Sequence, residues 1–193
     1  DLMSLPAALR AIHFPKNQEE ADSAAKRLAF DEMLILQLGM LMLKEKSRKS
    51  TPCVMNKKTG LDEFYASLPF KMTAAQLRCV KEITDDLSSG VPMNRLLQGD
   101  VGSGKTAVAA AACYFSYKNG YQSALMAPTE ILAVQHYKTL SGFLEPLGIK
   151  TVLLTGSMTA KEKRAVKDEL MSGEAGVAVG THAIIQKDVE FAS

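Results

Sequence analysis

The stretch LLQGDVGSGKT, Leu96 to Thr106, decides how the rest of the chain is read. Its last eight residues, Gly99-Asp100-Val101-Gly102-Ser103-Gly104-Lys105-Thr106, satisfy the pattern GxxxxGK[ST] of a phosphate-binding loop. The apolar residues before it have the composition of a strand, and Lys105 opens a run with helical character. That strand, loop and helix order is the context the pattern requires. From average residue frequencies the fixed positions arise by chance in about 1% of chains of this length. Gly102 and Gly104 allow a tight turn that points backbone N–H groups at phosphate oxygens, and the helix start adds its positive dipole end. Lys105 is placed to neutralise the β and γ phosphates of a nucleotide, and the Thr106 hydroxyl to ligate Mg²⁺.

Outward from the loop, short apolar runs alternate with amphipathic stretches. Leu96–Gln98, Ser123–Ala127, Thr151–Leu154 and Gly176–Val179 read as strands, and Lys105–Lys118, Glu130–Leu144 and Ala160–Met171 as the helices between them. Strands buried on both faces and separated by helices predict an α/β fold with a parallel sheet and ligand-binding loops at the strands' carboxyl ends. Upstream, residues 15–49 carry apolar residues at Ala21, Ala25, Leu28, Leu34, Leu38 and Leu41, the spacing of one long helix. The run MLILQLGMLML, Met33 to Leu43, has 11 residues, too few for the roughly 20 that span a bilayer, and reads as a buried helix. The stretch from Lys44 to Lys58 reads as a basic linker; its lysines either touch duplex DNA or complement a helix C-terminus.

Composition narrows the class further. The chain has 193 residues, 47% hydrophobic and 23% charged, with a net charge of +2. Such a chain folds into a globular core and has room for one α/β domain and an appendage, not two such domains. The near-neutral balance means that any basic footprint is local. Cys53, Cys79 and Cys113 are too far apart for a zinc ligand set, and an odd, sparse count suits a reducing cytoplasm. No signal-peptide pattern is present, and the absence of an initiator Met predicts a piece of something larger.

Five blocks then carry a resemblance: LPFKMTAAQ (Leu68 to Gln76), PMNRLLQGDVGSGKT (Pro92 to Thr106), MAPTEILAVQH (Met126 to His136), LLTGS (Leu153 to Ser157) and VGTHAIIQ (Val179 to Gln186). In this order and spacing they resemble the superfamily-two helicases, and within them the RecG family of ATP-dependent DNA helicases. The N-terminal LPAALRAIHFP and RLAFDEMLILQ also look like the segment that joins a wedge domain to the motor in that family. The resemblance implies a RecA-like phosphate-loop domain preceded by a long N-terminal helix. It implies ATP and Mg²⁺ as cofactors, branched double-stranded DNA (replication forks, Holliday junctions) as substrate, and the remainder of the polypeptide, wedge domain and second motor domain, as partner. The motor of transcription-repair coupling factors has similar phosphate and GTH blocks and is the alternative; a nucleotide- or DNA-binding module without motor action is another.

The resemblance also assigns roles. Gln76 falls in a block that reads the adenine edge, a task that suits an amide able to donate and accept together; otherwise it is a polar residue early in a surface helix. Phe70 either packs beside the base or staples the helix capped by Thr73. Pro128, Thr129 and Glu130 fall where the family contacts the nucleic-acid backbone, and Gly156, Ser157, Gly180, Thr181 and His182 repeat that device after later strands. Hydroxyls and free N–H groups at a helix start hold a phosphate without reading sequence. Thr129 serves equally as a helix cap, and His182 bonds either a phosphate or a backbone carbonyl.

Residues 1–60 are thus expected to form a helical linker from a preceding wedge domain. Residues 61–193 are expected to form the first RecA-like domain, truncated before the acidic motif that holds Mg²⁺ and orients water. Asp31-Glu32 and Asp85-Asp86 both fall in helical contexts. The expectation is a cytoplasmic motor fragment, without membrane association, that binds ATP and by itself hydrolyses little or none.

Overall fold

The computed structural model describes residues 2–47, 53–56, 59–186 and 188–193. Two compact units are found, Asp1–Lys49 and Ser50–Ser193. Much of the basic linker, including residues 48–52 and 57–58, lies outside the described residues.

The first unit is a helical hairpin. Helix α1, Leu5–His13, has a proline in its first turn, where a missing N–H costs nothing. Helix α2, Gln18–Ser47, begins with Glu19 and Glu20 against its positive dipole end. Ala8, Ala11 and Ala24 are buried where the two pack, with Met3 and Leu28 beside them; small residues let the helices approach closely. The segment Met33–Leu43 is helical but not buried as its apolar run predicts: Met33, Ile35, Met40 and Leu43 are 58–72% exposed. Nine residues of α1 span about 13 Å and thirty of α2 about 45 Å, so α1 covers only the first part of its partner.

The second unit carries α3 (Asp62–Ser67), α4 (Ala74–Leu87), α5 (Lys105–Lys118), β1 (Ser123–Met126), α6 (Glu130–Leu144), β2 (Thr151–Leu154), α7 (Ala160–Met171) and β3 (Val177–Gly180). The three strands form a parallel sheet ordered β1-β3-β2, with Met126 and Leu154 both aligned with Gly180. Alternation along β3 explains its central place. Val177 and Val179 join one core with Val108, Tyr114, Leu140 and Leu144 of α5 and α6, while Ala178 joins a second with Val152, Leu154 and Leu170. Side chains two residues apart share a face, so helices cover both sides of this strand. Each buried Leu or Val contributes about 1.5–3 kcal/mol.

Two strand expectations are corrected. Leu96–Gln98 forms no strand: among the described residues the sheet has three strands, and 96–98 pairs with none of them. A strand exists through its ladder, and this segment lacks one. It is held instead through Arg95, whose guanidinium bonds Glu82 at 2.6 Å and also Asp86, both on α4; Leu97 packs on the core while Leu96 is 88% exposed. Burial on both faces holds for β3 but not for β1, an edge strand where Ala124 and Met126 face outward.

Capping fixes where helices begin. Thr73 and Gln76 form a reciprocal capping box at α4, Thr159 and Glu162 another at α7, and Thr129 accepts from the Leu132 amide at α6. Each such cap is worth about 1 kcal/mol. Among the described residues no helix is long and apolar enough to cross a membrane.

Candidate functional site

The phosphate loop is built by backbone conformation. Gly102 and Gly104 have φ of +80° and +78°, a region side chains rarely adopt, and Gly104 stands as the residue before the first turn of α5. A Cβ on Gly104 would lie 2.4 Å from the Gln76 amide nitrogen, so a side chain there would displace Gln76 from the loop, and the positive φ itself favours glycine. The Ser103 amide donates to the Asp100 carbonyl at 3.2 Å and closes the turn.

Two side chains hold this loop. The Lys105 ammonium donates to the carbonyls of Gly99 and Asp100, both at 2.8 Å. Gln76 donates from Nε2 to the Ser103 carbonyl at 2.9 Å and accepts at Oε1 from the Thr73 amide at 2.8 Å. Its amide therefore ties α4 to the loop. Thr106 is half-buried in the first turn of α5, and Val101 is fully exposed at the loop's tip. Phe70 meets Phe143 edge-on at 6.0 Å between ring centroids, an apolar contact before α4. Arg78 is exposed.

A second group gathers at the carboxyl ends of the strands. Pro128, Thr129 and Glu130 follow β1, Gly156 and Ser157 follow β2, and Thr181 and His182 follow Gly180 of β3. Backbone bonds tie the three loops together: the Ala127 amide donates to the Gly180 carbonyl at 2.8 Å, and the Thr181 amide to the Leu154 carbonyl at 3.3 Å. A Cβ on Gly180 would sit 1.9 Å from the Leu154 carbonyl oxygen, so only glycine lets these strands end side by side. His182 is exposed at the start of a short 3-10 turn, His182–Ile185. No hydrogen bond or ion pair among the described residues joins this group to the phosphate loop.

Glu130 bonds within the group. Its Oε1 accepts from the Ser157 amide at 2.8 Å. Hydrogen bonds from Ser157, with help from the Gly156 amide and Lys163, hold its carboxyl below the usual carboxylate range. Lys163, which lies among interleaved charges (Lys161, Glu162, Arg164, Lys167, Asp168) that suggest a solvated helix face, donates to the Gly156 carbonyl at 2.6 Å. The signal for it was the capping box: Thr159 and Glu162 fix the start of α7, and helical side chains lean toward that start, so Lys163 reaches back over the loop. Glu63, outside every block read from the sequence, accepts from the Tyr114 hydroxyl at 2.7 Å and pairs with Lys118 at 3.1 Å, fastening α3 to α5. Asp31-Glu32 lies within α2 and Asp85-Asp86 within α4.

Comparison with known proteins follows this geometry. Residues 73–192 match the family model of the DEAD/DEAH box helicase. The chain is 44% identical over 193 residues to the ATP-dependent DNA helicase RecG of Synechocystis sp., covering 99% of this chain and 23% of that protein. To the RecG of Bacillus subtilis it is 46% identical over 186 residues, 95% of this chain and 27% of that protein. A solved structure of RecG bound to a three-way DNA junction superposes with a TM-score of 0.85 at 43% identity, covering 99% of this chain and 26% of that one. The chain thus spans about a quarter of the length of these relatives.

Proposed function

Because the chain belongs to the DEAD/DEAH box helicase family, we propose that it is the ATP-binding front part of a motor that remodels branched DNA such as forks and Holliday junctions. The parent polypeptide then acts as an ATP-dependent DNA helicase or translocase, with a wedge domain and a second motor domain as further parts of the same chain. The observation that supports this reading is the pairing of a glycine turn at the start of α5, braced by Lys105 and Gln76, with a tied set of loops at the ends of the three strands. Identity of 43–46% to proteins named RecG over nearly the whole chain favours this branch over the transcription-repair coupling motor. Three widely spaced cysteines fit a cytoplasmic setting.

The residues present fit a magnesium nucleotide. The loop's glycines have the positive φ of an N–H cradle, Lys105 lies against it, and Thr106 stands in the first turn of the helix behind it. Lys105, now bonded to the carbonyls of Gly99 and Asp100, would hold the β and γ phosphates of a bound nucleotide through its charge. The Thr106 hydroxyl would hold Mg²⁺, which would supply charge neutralisation. Gln76 positions the loop through Ser103, and reading of the adenine edge asks it to exchange that bond or share it. Thr129, Ser157, Thr181 and His182 hold nucleic-acid phosphates without reading bases.

A second reading, nucleotide binding without turnover, is favoured by one observation: Asp31-Glu32 and Asp85-Asp86 are both helical, whereas an acidic motif that orients water stands at a strand end. Calorimetry with MgATP and a hydrolysis assay with and without three-way-junction DNA test both. Binding that is lost in Lys105→Ala supports the nucleotide site; robust turnover by the wild-type chain would sink the second reading, and no binding at all would sink the first.

A further inference from the structure

The Gly156–Ser157 peptide is gripped at both of its polar atoms by two different helices. Its N–H, on Ser157, donates to Glu130 Oε1 at 2.8 Å, and its C=O, on Gly156, accepts from Lys163 Nζ at 2.6 Å. Glu130 is the first residue of α6 and Lys163 stands in the first turns of α7, so one peptide plane is fixed between the starts of two helices. The approach is close: a Cβ on Gly156 would be 3.1 Å from Glu130 Oε1, which makes glycine the residue that fits without displacing the carboxylate. The grip also uses up the Ser157 amide. The exposed Ser157 hydroxyl is drawn into the same arrangement: it lies 3.3 Å from the buried Thr155 hydroxyl and also interacts with the Glu130 carboxylate.

We propose that Glu130 and Lys163 are positioning residues that fix the Gly156–Ser157 peptide, and with it the place at which the Ser157 hydroxyl meets a nucleic-acid phosphate. The assignment rests on the reading of these strand-end loops as a nucleic-acid surface. Charge alone argues against Glu130 as a direct contact, because a carboxylate beside a phosphate repels it. A bonded carboxylate has a different task. It couples the loop after β2 to the loop after β1, so both present their hydroxyls in one fixed arrangement, and it keeps the anion occupied by an N–H donor.

The test measures two things on the whole chain: hydrogen exchange of the Ser157 amide, and affinity for three-way-junction DNA at several salt concentrations. Glu130→Ala is expected to speed Ser157 exchange and to weaken DNA binding about fivefold. Glu130→Gln keeps an acceptor oxygen and is expected to stay within about twofold of wild type in affinity. Lys163→Met is expected to weaken binding without changing the salt dependence, whereas a lysine on a phosphate would lower the slope by about one counterion. Ser157→Ala is expected to weaken binding while leaving its own amide protected.

Unchanged exchange in Glu130→Ala overturns the clamp. Affinity that is equal or tighter in both Glu130 variants also overturns it, since that is the result of removing a repulsive charge. A reduced salt slope in Lys163→Met overturns the positioning role of that residue and makes it a contact. If Glu130→Ala does not fold, Lys163→Met and Glu130→Gln decide the same question. Absence of DNA binding by the wild-type chain overturns the nucleic-acid reading and the positioning role with it, and Ser157 exchange in the variants then separates that failure from failure of the clamp itself.

Discussion

The side-chain amide of Gln76 donates to the Ser103 carbonyl at 2.9 Å while its oxygen accepts from the Thr73 amide at 2.8 Å. One residue therefore both starts α4 and braces the phosphate loop. Gln76→Ala removes both bonds, and a loss of about 1–2 kcal/mol of stability is expected together with weaker binding of a fluorescent ATP analogue. Gln76→Glu keeps the capping oxygen but sets a carboxylate against a carbonyl. It is expected to melt closer to wild type than Gln76→Ala while binding nucleotide as poorly; equal nucleotide affinity in all three proteins would show that the brace is irrelevant to the loop.

Gly180 and Gly142 are expected to respond in opposite directions to the same change. Gly180→Ala drives a methyl to 1.9 Å from the Leu154 carbonyl oxygen at the centre of the sheet, and a loss of about 3 kcal/mol or more is expected. Gly142 lies inside α6 with nothing within 4 Å of its would-be Cβ, so Gly142→Ala is expected to gain about 0.5–1 kcal/mol. Urea unfolding monitored by circular dichroism checks the pair.

Burial pushes the Cys113 thiol up to about 11, and only 8% of the residue is exposed. Thiolate is the species that alkylates, so Cys113 is expected to resist iodoacetamide at neutral pH while Cys53, which is exposed, reacts. Mass spectrometry of peptides from native and urea-treated protein reads this directly. Fast modification of Cys113 in the native protein would mean that α5 opens far more often than its packing suggests.

Acid is expected to weaken the fold through carboxylates held below their usual range. Hydrogen bonds from Tyr114 and Lys118 lower Glu63, Arg95 lowers Asp86, Ser157 lowers Glu130, Thr159 lowers Glu162, and Lys167 lowers Asp188. A carboxylate depressed in the folded state stabilises above its unfolded pKa, and that contribution is lost as pH falls through the folded value. The melting temperature is therefore expected to be flat above about pH 5 and to fall below it. Glu63, Glu162 and Asp188 are exposed and Asp86 and Glu130 half-buried, so the slope should be shallow and should shrink in 1 M salt; a slope unaffected by salt would point to fully buried groups instead.

The strongest sequence signals were those whose chemistry is local. The positive φ of Gly102 and Gly104, the cap at Thr73, and the strand Thr151–Leu154 each follow from a few adjacent residues, and the structure places them where that chemistry requires. Leu96–Gln98 has equally good strand composition but no ladder, because a strand also depends on a neighbour distant in sequence. The run Met33–Leu43 was misleading for the same reason: apolar character says that a helix prefers cover, and α1 is too short to give it. Lys163 is one charge among many on α7 by sequence, and only the start of that helix fixes its direction.

By itself the sequence determined the glycine turn at Gly102 and Gly104, the alternation of helices and strands from Lys105 onward, and the family, because each rests on residue types at fixed short spacing. Only the tertiary structure decided what those residues touch. Gln76 braces Ser103, Glu130 takes the Ser157 amide, and Gly180 admits the Leu154 carbonyl, across 27, 27 and 26 residues of chain. Such contacts depend on how parallel strands bring their carboxyl ends together, and that register is set by packing on both faces of β3, which no short stretch of sequence records.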